Sequence, residues 1–398
     1  MGFRTLDNAD VTGKRVLLRV DLNVPMSADG QITDATRIER VAPTITELAD
    51  RGARVVMLAH FGRPKGQRVA DMSLKPVAAG AEKVLGRPVA FAEDCVGPAA
   101  KAAVDALQNG DIVLLENTRY HAGEEKNDPE FVAELAANGD LFVADAFSCA
   151  HRAHASTAGL ADRMPAIAGR CMQAEVEALT DALEAPKRPA AALVGGAKVS
   201  TKLDVLGNLF GKVDVIIVGG GMANTFLLAQ GVAIGKSLAE PDLLDTARDI
   251  MTRAEKAGCE LLLPVDAVCA ASLANDVPTV TVPIDQVPAD QMILDVGPAS
   301  IAKVAERLAE CRTIMWNGPM GAFEFTPFDV ATNAVAQAVA KASKAGSMLS
   351  VAGGGDTVAA LNHAGAADDF SYVSTAGGAF LEWLEGKELP GVAVLSAD

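Results

Sequence analysis

Short runs of apolar residues recur along the whole chain, and each is followed by a glycine-bearing turn and a segment with helical spacing. The apolar runs lie at 15–22, 53–60, 111–117, 140–147, 191–196, 213–220, 260–267, 313–318 and 347–355. Because these runs are apolar on both faces, they are typical of parallel strands covered by helices on each side. Helical spacing lies between them, for example at 38–51, 98–109 and 329–345. The pattern predicts an α/β protein with two doubly wound, Rossmann-like parallel-sheet domains.

The division between the two domains is predicted near the middle of the chain. A length of 398 residues suits two domains of about 200 residues each. Residues 171–184 have the pattern of an amphipathic helix, and two prolines in the following APKRP segment end it. We therefore expect an N-terminal domain over 1–170, a hinge helix over 171–186 and a C-terminal domain over 187–376.

Composition and charge exclude several classes of protein. Half of the residues are apolar and 22% are charged, which excludes wholesale disorder. The net charge of −16 argues against nucleic acid and against an anionic membrane as partners. The six cysteines form no CxxC pair, and the N-terminus has no apolar signal segment, so we expect a cytoplasmic protein. The uncharged run 215–235 contains five glycines, which predict a strand, a loop and a helix.

Two glycine-rich segments in the second half predict a phosphate site. GGAKVSTK (195–202) is expected to enter a helix with Lys198 and Lys202 on one face, where a bound anion would offset the unfavourable helix dipole. The alternative is a pair of solvated surface lysines. GGGDT (353–357) is expected to open another helix, with Thr357 donating to a phosphate and Asp356 near Mg²⁺. The alternative is that Asp356 merely caps that helix. In WNGPMGAFE (316–324), Glu324 is a candidate acceptor for ribose hydroxyls.

Basic residues in the first half predict a second anion site. Asp21, Asn23, His60, Arg63 and Arg119 lie at predicted strand ends or in the adjacent loops. Arg37 and Arg152 lie in nearby segments, and the carboxyl ends of parallel strands are where open α/β sheets bind ligands. Each arginine alone fits a solvated surface, but together, in an acidic protein, they predict an anion basket. His151 and His154 have no third ligand in register, so no zinc site is expected.

Eight motifs follow one another along the chain: RVDLNVP (19–25), HFGRPKG (60–66), LLENTRYHAGEEKND (114–128), DAFSCAHRAH (145–154), GGAKVSTK (195–202), WNGPMGAFE (316–324), GGGDT (353–357) and STAGGAFLEWLEGKELPG (374–391). In this order and spacing they resemble the phosphoglycerate kinase family, over essentially the whole chain. The resemblance implies a two-lobed glycolytic monomer. Such an enzyme transfers a phosphoryl group reversibly from 1,3-bisphosphoglycerate to ADP, giving 3-phosphoglycerate and ATP, with Mg²⁺ as cofactor.

The resemblance also assigns site residues. The triose site it implies is Asp21, Asn23, Arg37, His60, Arg63, Arg119 and Arg152. The nucleotide site it implies is Gly196, Lys198, Lys202, Gly220, Asn317, Glu324, Gly353, Gly354, Gly355, Asp356 and Thr357. The implied catalytic residues are Arg37, Lys198, Gly354 and Gly377, and Asp356 is the implied metal ligand. The tail over about 377–398 is expected to pack on the N-terminal domain. Ala376 and Phe61 depart from the family pattern.

The implied chemistry needs no general base, because the acceptor carboxylate is already ionised at neutral pH. It needs charge neutralisation and in-line alignment, with the two domains closing around the substrates. Two other functions remain open. A nicotinamide-dependent dehydrogenase shares the architecture, but the glycine motif at 219–224 is an incomplete GxGxxG. A two-lobed binding protein for a phosphorylated metabolite would need the basket but not Lys198, Lys202 or GGGDT.

Overall fold

The computed structural model describes residues 2–396, which divide into two compact units. The N-terminal unit comprises 2–176 together with 388–396, and the C-terminal unit comprises 177–387. Each unit is built on its own six-stranded sheet. The predicted class, α/β with two doubly wound parallel sheets, is confirmed.

In the N-terminal unit, all six sheet strands are parallel, in the order β3-β4-β2-β1-β5-β6. The strands are β1 Arg15–Val20, β2 Arg54–Leu58, β3 Ala90–Ala92, β4 Ile112–Leu115, β5 Leu141–Asp145 and β6 Ala166–Ala168. The helices are α1 Thr36–Asp50, α2 Lys75–Leu85, α3 Gly97–Asp105, α4 Ala122–Glu125, α5 Pro129–Ala136 and α6 Arg170–Leu179. Leu17, Leu18 and Val143 are fully buried, because helices cover both faces of the central strands.

In the C-terminal unit, the parallel sheet has the order β15-β14-β13-β7-β8-β9. The strands are β7 Ala190–Val194, β8 Val215–Val218, β9 Glu260–Leu262, β10 Asp266–Ala270, β11 Val280–Pro283, β12 Met292–Val296, β13 Thr313–Asn317, β14 Leu349–Gly353 and β15 Tyr372–Ser374. The helices are α7 Leu203–Leu209, α8 Gly220–Ala229, α9 Leu244–Lys256, α10 Pro298–Glu310, α11 Val330–Lys344, α12 Gly355–His363 and α13 Gly377–Leu384. The run 215–235 forms β8 and α8, as predicted. Along residues 2–396, no helix is long and apolar enough to cross a membrane.

A small antiparallel sheet in the C-terminal unit was not predicted. In it, β10 pairs with β11 on one side and with β12 on the other. The apolar run 260–267 was predicted as one strand, but it contributes β9 to the parallel sheet and the start of β10 to the antiparallel one. Pro264 lies between them, and a proline cannot donate a hydrogen bond to a central strand.

The segment between the two units is helical. Helix α6 continues directly into a π-helical turn at Thr180–Glu184, and the division between the units falls after Val176. The last helix, α14 (Pro390–Ala393), belongs to the N-terminal unit. There the Gly391 amide donates to the Ala150 carbonyl at 2.9 Å, and the Arg4 amide donates to the Leu395 carbonyl at 3.1 Å. Residues 397 and 398 of the predicted tail lie outside the described residues.

Candidate active site

The strand order of the N-terminal sheet marks where a ligand would bind. The chain runs outward from β1 to β2 on one side, and it later returns to place β5 on the other side of β1. Ligands of doubly wound sheets bind at the carboxyl ends of the strands that flank such a switch. Asp21 follows β1, His60 follows β2, Arg119 follows β4 and Ser148 follows β5. Four strands therefore direct polar side chains to one edge of the sheet.

Asp21 lies at the centre of this edge. Its carboxylate forms an ion pair with Arg37 and accepts hydrogen bonds from Ser148 Oγ at 2.6 Å and from the Asn23 amide at 3.1 Å. Burial acts to raise the pKa of Asp21, but the charge of Arg37 and the hydrogen bonds from Ser148 and the Asn23 amide act against it, and this pKa lies below its ordinary value. Asp21 is therefore a permanent anion that orients Arg37.

Other residues of the predicted triose site hold the loop that carries Arg63. Asn23 Oδ1 accepts a hydrogen bond from the Gly62 amide at 2.9 Å, and Arg119 Nη1 donates to the Gly62 carbonyl at 2.9 Å. Asn117, which sequence reasoning missed, donates to the Phe61 carbonyl at 2.7 Å and accepts from the Phe61 amide at 3.2 Å. The loop is thus fixed to two strand ends.

Two basic residues of the predicted triose site, Arg63 and Arg152, are exposed to solvent. Arg63 is exposed and makes no hydrogen bond or ion pair with any residue from 2 to 396. Arg152 is also exposed, and its Nε donates to His151 Nε2 at 3.1 Å. Burial, followed by Arg119 and Arg19, lowers the pKa of the nearby His154 to about 4, so this ring is neutral at pH 7. Neither cation is fixed to the Asp21 network, which leaves both able to meet an anion.

The C-terminal sheet has the same kind of switch, between β7 and β13. The Gly195 amide donates to the Asn317 carbonyl at 2.9 Å, so the loops after these two strands touch. Gly318 has a φ of +98°, and a Cβ atom there would lie 2.3 Å from the Gly195 carbonyl oxygen. Glycine is therefore required for the two backbones to approach this closely.

Two hydrogen bonds in series join Lys202 to the ends of β13 and β14. Lys202 Nζ donates to Asn317 Oδ1, and Asn317 Nδ2 donates to the Gly353 carbonyl at 2.7 Å. The Gly318 amide donates to Thr357 Oγ1 at 2.8 Å. Burial lowers the pKa of Lys202 below its ordinary value, although Asp356 acts in the opposite direction. The structure thus brings together four of the residues predicted to bind nucleotide.

The prediction that Lys198 and Lys202 share one helix face is wrong. Lys198 has an extended backbone, residues 199–201 form a 3₁₀ turn, and α7 begins only at Leu203. Thr201 Oγ1 donates to the Lys198 carbonyl at 2.9 Å, and Ser200 donates from its amide and its hydroxyl to Glu240. Such side-chain bonds compete with α-helical hydrogen bonding. Lys198 therefore lies exposed in a loop.

The alternative that Asp356 caps a helix is also wrong. The N-cap of α12 is Gly354, with a φ of +99°, and Asp356 lies exposed within the first turn. Its carboxylate is free of a capping bond and close enough to Lys202 to affect the pKa of that lysine. Mg²⁺ in phosphotransfer sites is typically held by one or two carboxylates together with substrate phosphates. The exposed carboxylate of Asp356, beside Lys202 and the N-terminus of α12, fits that ion.

Three helices begin at this edge of the C-terminal sheet. Helix α8 starts at Gly220 after β8, α12 starts at Gly355 after β14, and α13 starts at Gly377 after β15. Their N-terminal amides and dipoles favour anions. Ala376, the departure before Gly377, has a φ of −88°, which alanine adopts without strain.

A cavity of about 340 Å³ opens beside these loops. Its walls include Leu238, Leu273 and Met292, while Gly196, Glu324 and Asp356 contribute polar groups. Apolar walls with a few polar groups are typical of a site for a small organic ligand. Glu324 lies seven residues beyond the end of β13, in the loop that lines this cavity. Residues of β12, from the unpredicted antiparallel sheet, form part of the same wall.

Comparison with known proteins identifies the family. The phosphoglycerate kinase family model matches residues 6–387. A phosphoglycerate kinase of Methylorubrum extorquens is 65% identical over 396 residues, which cover 99% of each chain. That of Brucella abortus is 63% identical over 395 residues, or 99% of this chain and 100% of the other. The structure of phosphoglycerate kinase from Coxiella burnetii aligns with a TM-score of 0.93 at 46% identity, over 99% of both chains. The chain therefore belongs to the phosphoglycerate kinase family, and it is a phosphotransferase rather than the dehydrogenase or binding protein that its sequence had left open.

Proposed function

We propose that the two sheet edges hold the two substrates of one reversible reaction. The N-terminal edge binds 1,3-bisphosphoglycerate or 3-phosphoglycerate, and the C-terminal edge binds Mg-ADP or Mg-ATP. The observation that carries this proposal is that the predicted residues of each site lie at or beside the carboxyl edge of one parallel sheet. A coupled assay of 1,3-bisphosphoglycerate formation from 3-phosphoglycerate and MgATP tests it directly, and no turnover above a no-enzyme blank would refute it.

In the N-terminal site, the chain supplies charge and orientation rather than acid–base catalysis. The acceptor carboxylate of 3-phosphoglycerate is already ionised, so no proton has to be removed. Arg63 and Arg152 are free to bind its phosphate, and Asp21 fixes the direction of Arg37. Arg37 would meet the transferring group, where a guanidinium pairs well with phosphoryl oxygens.

In the C-terminal site, the nucleotide phosphates would lie at the N-termini of α8, α12 and α13. Gly354 and Gly377 leave backbone amides open there, and Lys202 is fixed beside them by Asn317. Lys198 would meet the transferring group from this side. Asp356 would hold Mg²⁺, which when bound offsets negative charge on the nucleotide phosphates. The base would enter the cavity beside Glu324.

Transfer between the sites requires that the two units close on their substrates. Each ligand alone would shift the equilibrium only partly, because neither contacts both units. We expect the radius of gyration from small-angle scattering to be smallest with ADP and 3-phosphoglycerate bound together. Identical values for the apo, binary and ternary samples would contradict closure.

Arg63→Ala is expected to act on triose binding. Arg63 has no partner along 2–396, so its loss removes a ligand contact without breaking a protein contact. We expect KM for 3-phosphoglycerate to rise by about tenfold or more, while KM for ATP changes little, because the non-reacting phosphate is bound equally in the ground and transition states. Steady-state kinetics measures both constants. Arg68→Ala is the matched control, because Arg68 lies in the same loop but pairs with Asp94. A normal triose KM in Arg63→Ala would exclude Arg63 from the site.

We also propose that the protein is a cytoplasmic monomer. All six cysteines are free, and five of them are buried, which suits a reducing compartment. Light scattering of the purified chain tests the oligomeric state, and a mass of twice 41.0 kDa would contradict it.

A further inference from the structure

Arg19 is a charged residue inside the apolar strand β1. Its side chain is only 2% exposed. Its Nε donates to Ser156 Oγ at 2.8 Å, and its Nη1 donates to the Val20 carbonyl. Ser156 in turn donates from its amide and its hydroxyl to the buried carboxylate of Glu124, at 3.0 and 2.5 Å. The guanidinium is therefore fixed in place, with a balancing anion beyond Ser156.

A further contact of this guanidinium determines the state of His60. Arg19 Nη2 lies 3.1 Å from His60 Nδ1. An arginine side chain has only donors and stays protonated, so Nδ1 must accept, and a neutral ring then carries its proton on Nε2. His60 Nε2 bonds to no residue along 2–396, and it is not among the buried polar atoms that lack a partner, so it is open to solvent. The Nε2–H group of His60 is therefore a solvent-accessible hydrogen-bond donor at the end of β2.

The surroundings of His60 keep its ring neutral. Five charged or titratable groups face it: Arg19 in β1, Asp21 after β1, Arg37 in α1, Arg119 after β4 and Cys149 after β5. Burial, then Arg19 and Arg119, hold the pKa of His60 well below its ordinary value, and the opposing attraction of Asp21 does not compensate. The contact with Arg19 thus selects the tautomer and also disfavours the imidazolium.

We propose that Arg19 is a positioning residue that holds His60 as the neutral Nε2–H tautomer, so that this ring offers the triose ligand a hydrogen-bond donor rather than a titrating cation. At 2% exposure, Arg19 does not itself reach the ligand. The inference rests on the proposed triose site. Its consequence is that the donor strength of the site does not change as the pH crosses the range in which a free histidine titrates.

The tautomer is tested on the full-length protein without ligand. Two-bond ¹H–¹⁵N correlation spectra of a ¹⁵N-histidine sample contain the signals of five histidines, and His60→Gln identifies the one from His60. We expect an unprotonated Nδ1 and a protonated Nε2, unchanged from about pH 5.5 to pH 8. A proton on Nδ1, or an imidazolium at pH 7, would overturn the proposal. This measurement needs no variant of Arg19.

The positioning role is tested with Arg19→Met against Cys149→Ala. Methionine removes the donors and the charge at similar length, so we expect the two neutral tautomers to interconvert and KM for 3-phosphoglycerate to rise several-fold near pH 8. The rise should be smaller near pH 6, because a protonated ring donates from Nε2 again. Cys149→Ala removes the other neighbour of Nδ1, at 3.8 Å, and should leave the tautomer unchanged. If Arg19→Met does not fold, Arg19→Met combined with Glu124→Gln serves in its place, because it removes the balancing anion together with the buried cation. An Arg19 variant with an unaltered tautomer and triose KM would overturn the proposal.

A titration of the wild-type protein separates this proposal from the triose site itself. Bound 3-phosphoglycerate should shift the His60 Nε2 signal and leave Nδ1 unprotonated. A saturating ligand that does not shift Nε2 would refute the triose site, and with it the role of Arg19, while the tautomer in the free protein would stand.

Discussion

Lys198→Ala is expected to lower kcat by about 10²-fold or more, while the Kd for ADP changes by no more than a few-fold. Lys198 is exposed in a loop beside the C-terminal sheet edge, and its ammonium makes no hydrogen bond or ion pair within residues 2–396. Lys202, by contrast, is fixed to Asn317. Lys198 is therefore the lysine that can move with the phosphoryl group during its transfer, when negative charge develops on that group. A 10²-fold loss corresponds to roughly 2.7 kcal/mol of transition-state stabilisation.

Rapid-quench or steady-state turnover measures kcat, and calorimetric titration measures the affinity for ADP. Lys344→Ala is the matched control, because Lys344 is an exposed lysine of the same unit that pairs with Asp369 at its surface. Equal losses of ADP affinity and kcat in Lys198→Ala would assign this lysine to ground-state nucleotide binding.

Much of the fold is predictable because buried parallel strands leave a strong pattern. β1, β2, β8 and β13 lie within predicted apolar runs, since helices cover both of their faces. The strands that escaped prediction carry a weaker pattern. β11 is largely exposed, β12 is only partly buried, and β3, β6 and β15 have three residues each. Such strands form because they pair with strands that are distant in sequence, and a local pattern does not show this pairing.

Candidate site residues could be predicted where the residue type itself indicates the chemistry. They could not be predicted where their role depends on contacts between residues distant in sequence. Arginines, glycines and acidic residues at strand ends identified both sheet edges. The bond from Ser200 to Glu240, 40 residues away, is invisible in a local pattern, and it replaces the expected helix around Lys198. Arg19 was missed for the same reason, because only the fold reveals that this strand residue is buried against His60. No sequence pattern indicates a role for Ser148, and only the fold places it beside Asp21.

Gly318→Ala is expected to destabilise the C-terminal unit by at least about 3 kcal/mol, the combined cost of backbone strain and overpacking. Gly318 has a φ of +98°, and an added Cβ would lie 2.3 Å from the oxygen and 2.5 Å from the carbon of the Gly195 carbonyl. These are backbone atoms at the junction of β7 and β13, so they cannot rotate away. The shift would also disturb the bond from the Gly318 amide to Thr357 Oγ1.

Gly346→Ala provides the matched control, because it carries the strain without the clash. Gly346 has a φ of +70°, and no atom lies within 4 Å of its built Cβ, so we expect a loss of only about 1 kcal/mol. Both tryptophans, Trp316 and Trp383, lie in the C-terminal unit, so urea unfolding followed by tryptophan fluorescence reports on that unit. Equal midpoints for the two variants would mean that the β7–β13 junction yields by a backbone shift. In that case, the close approach of the Gly195 and Gly318 backbones would not be the reason for glycine at position 318.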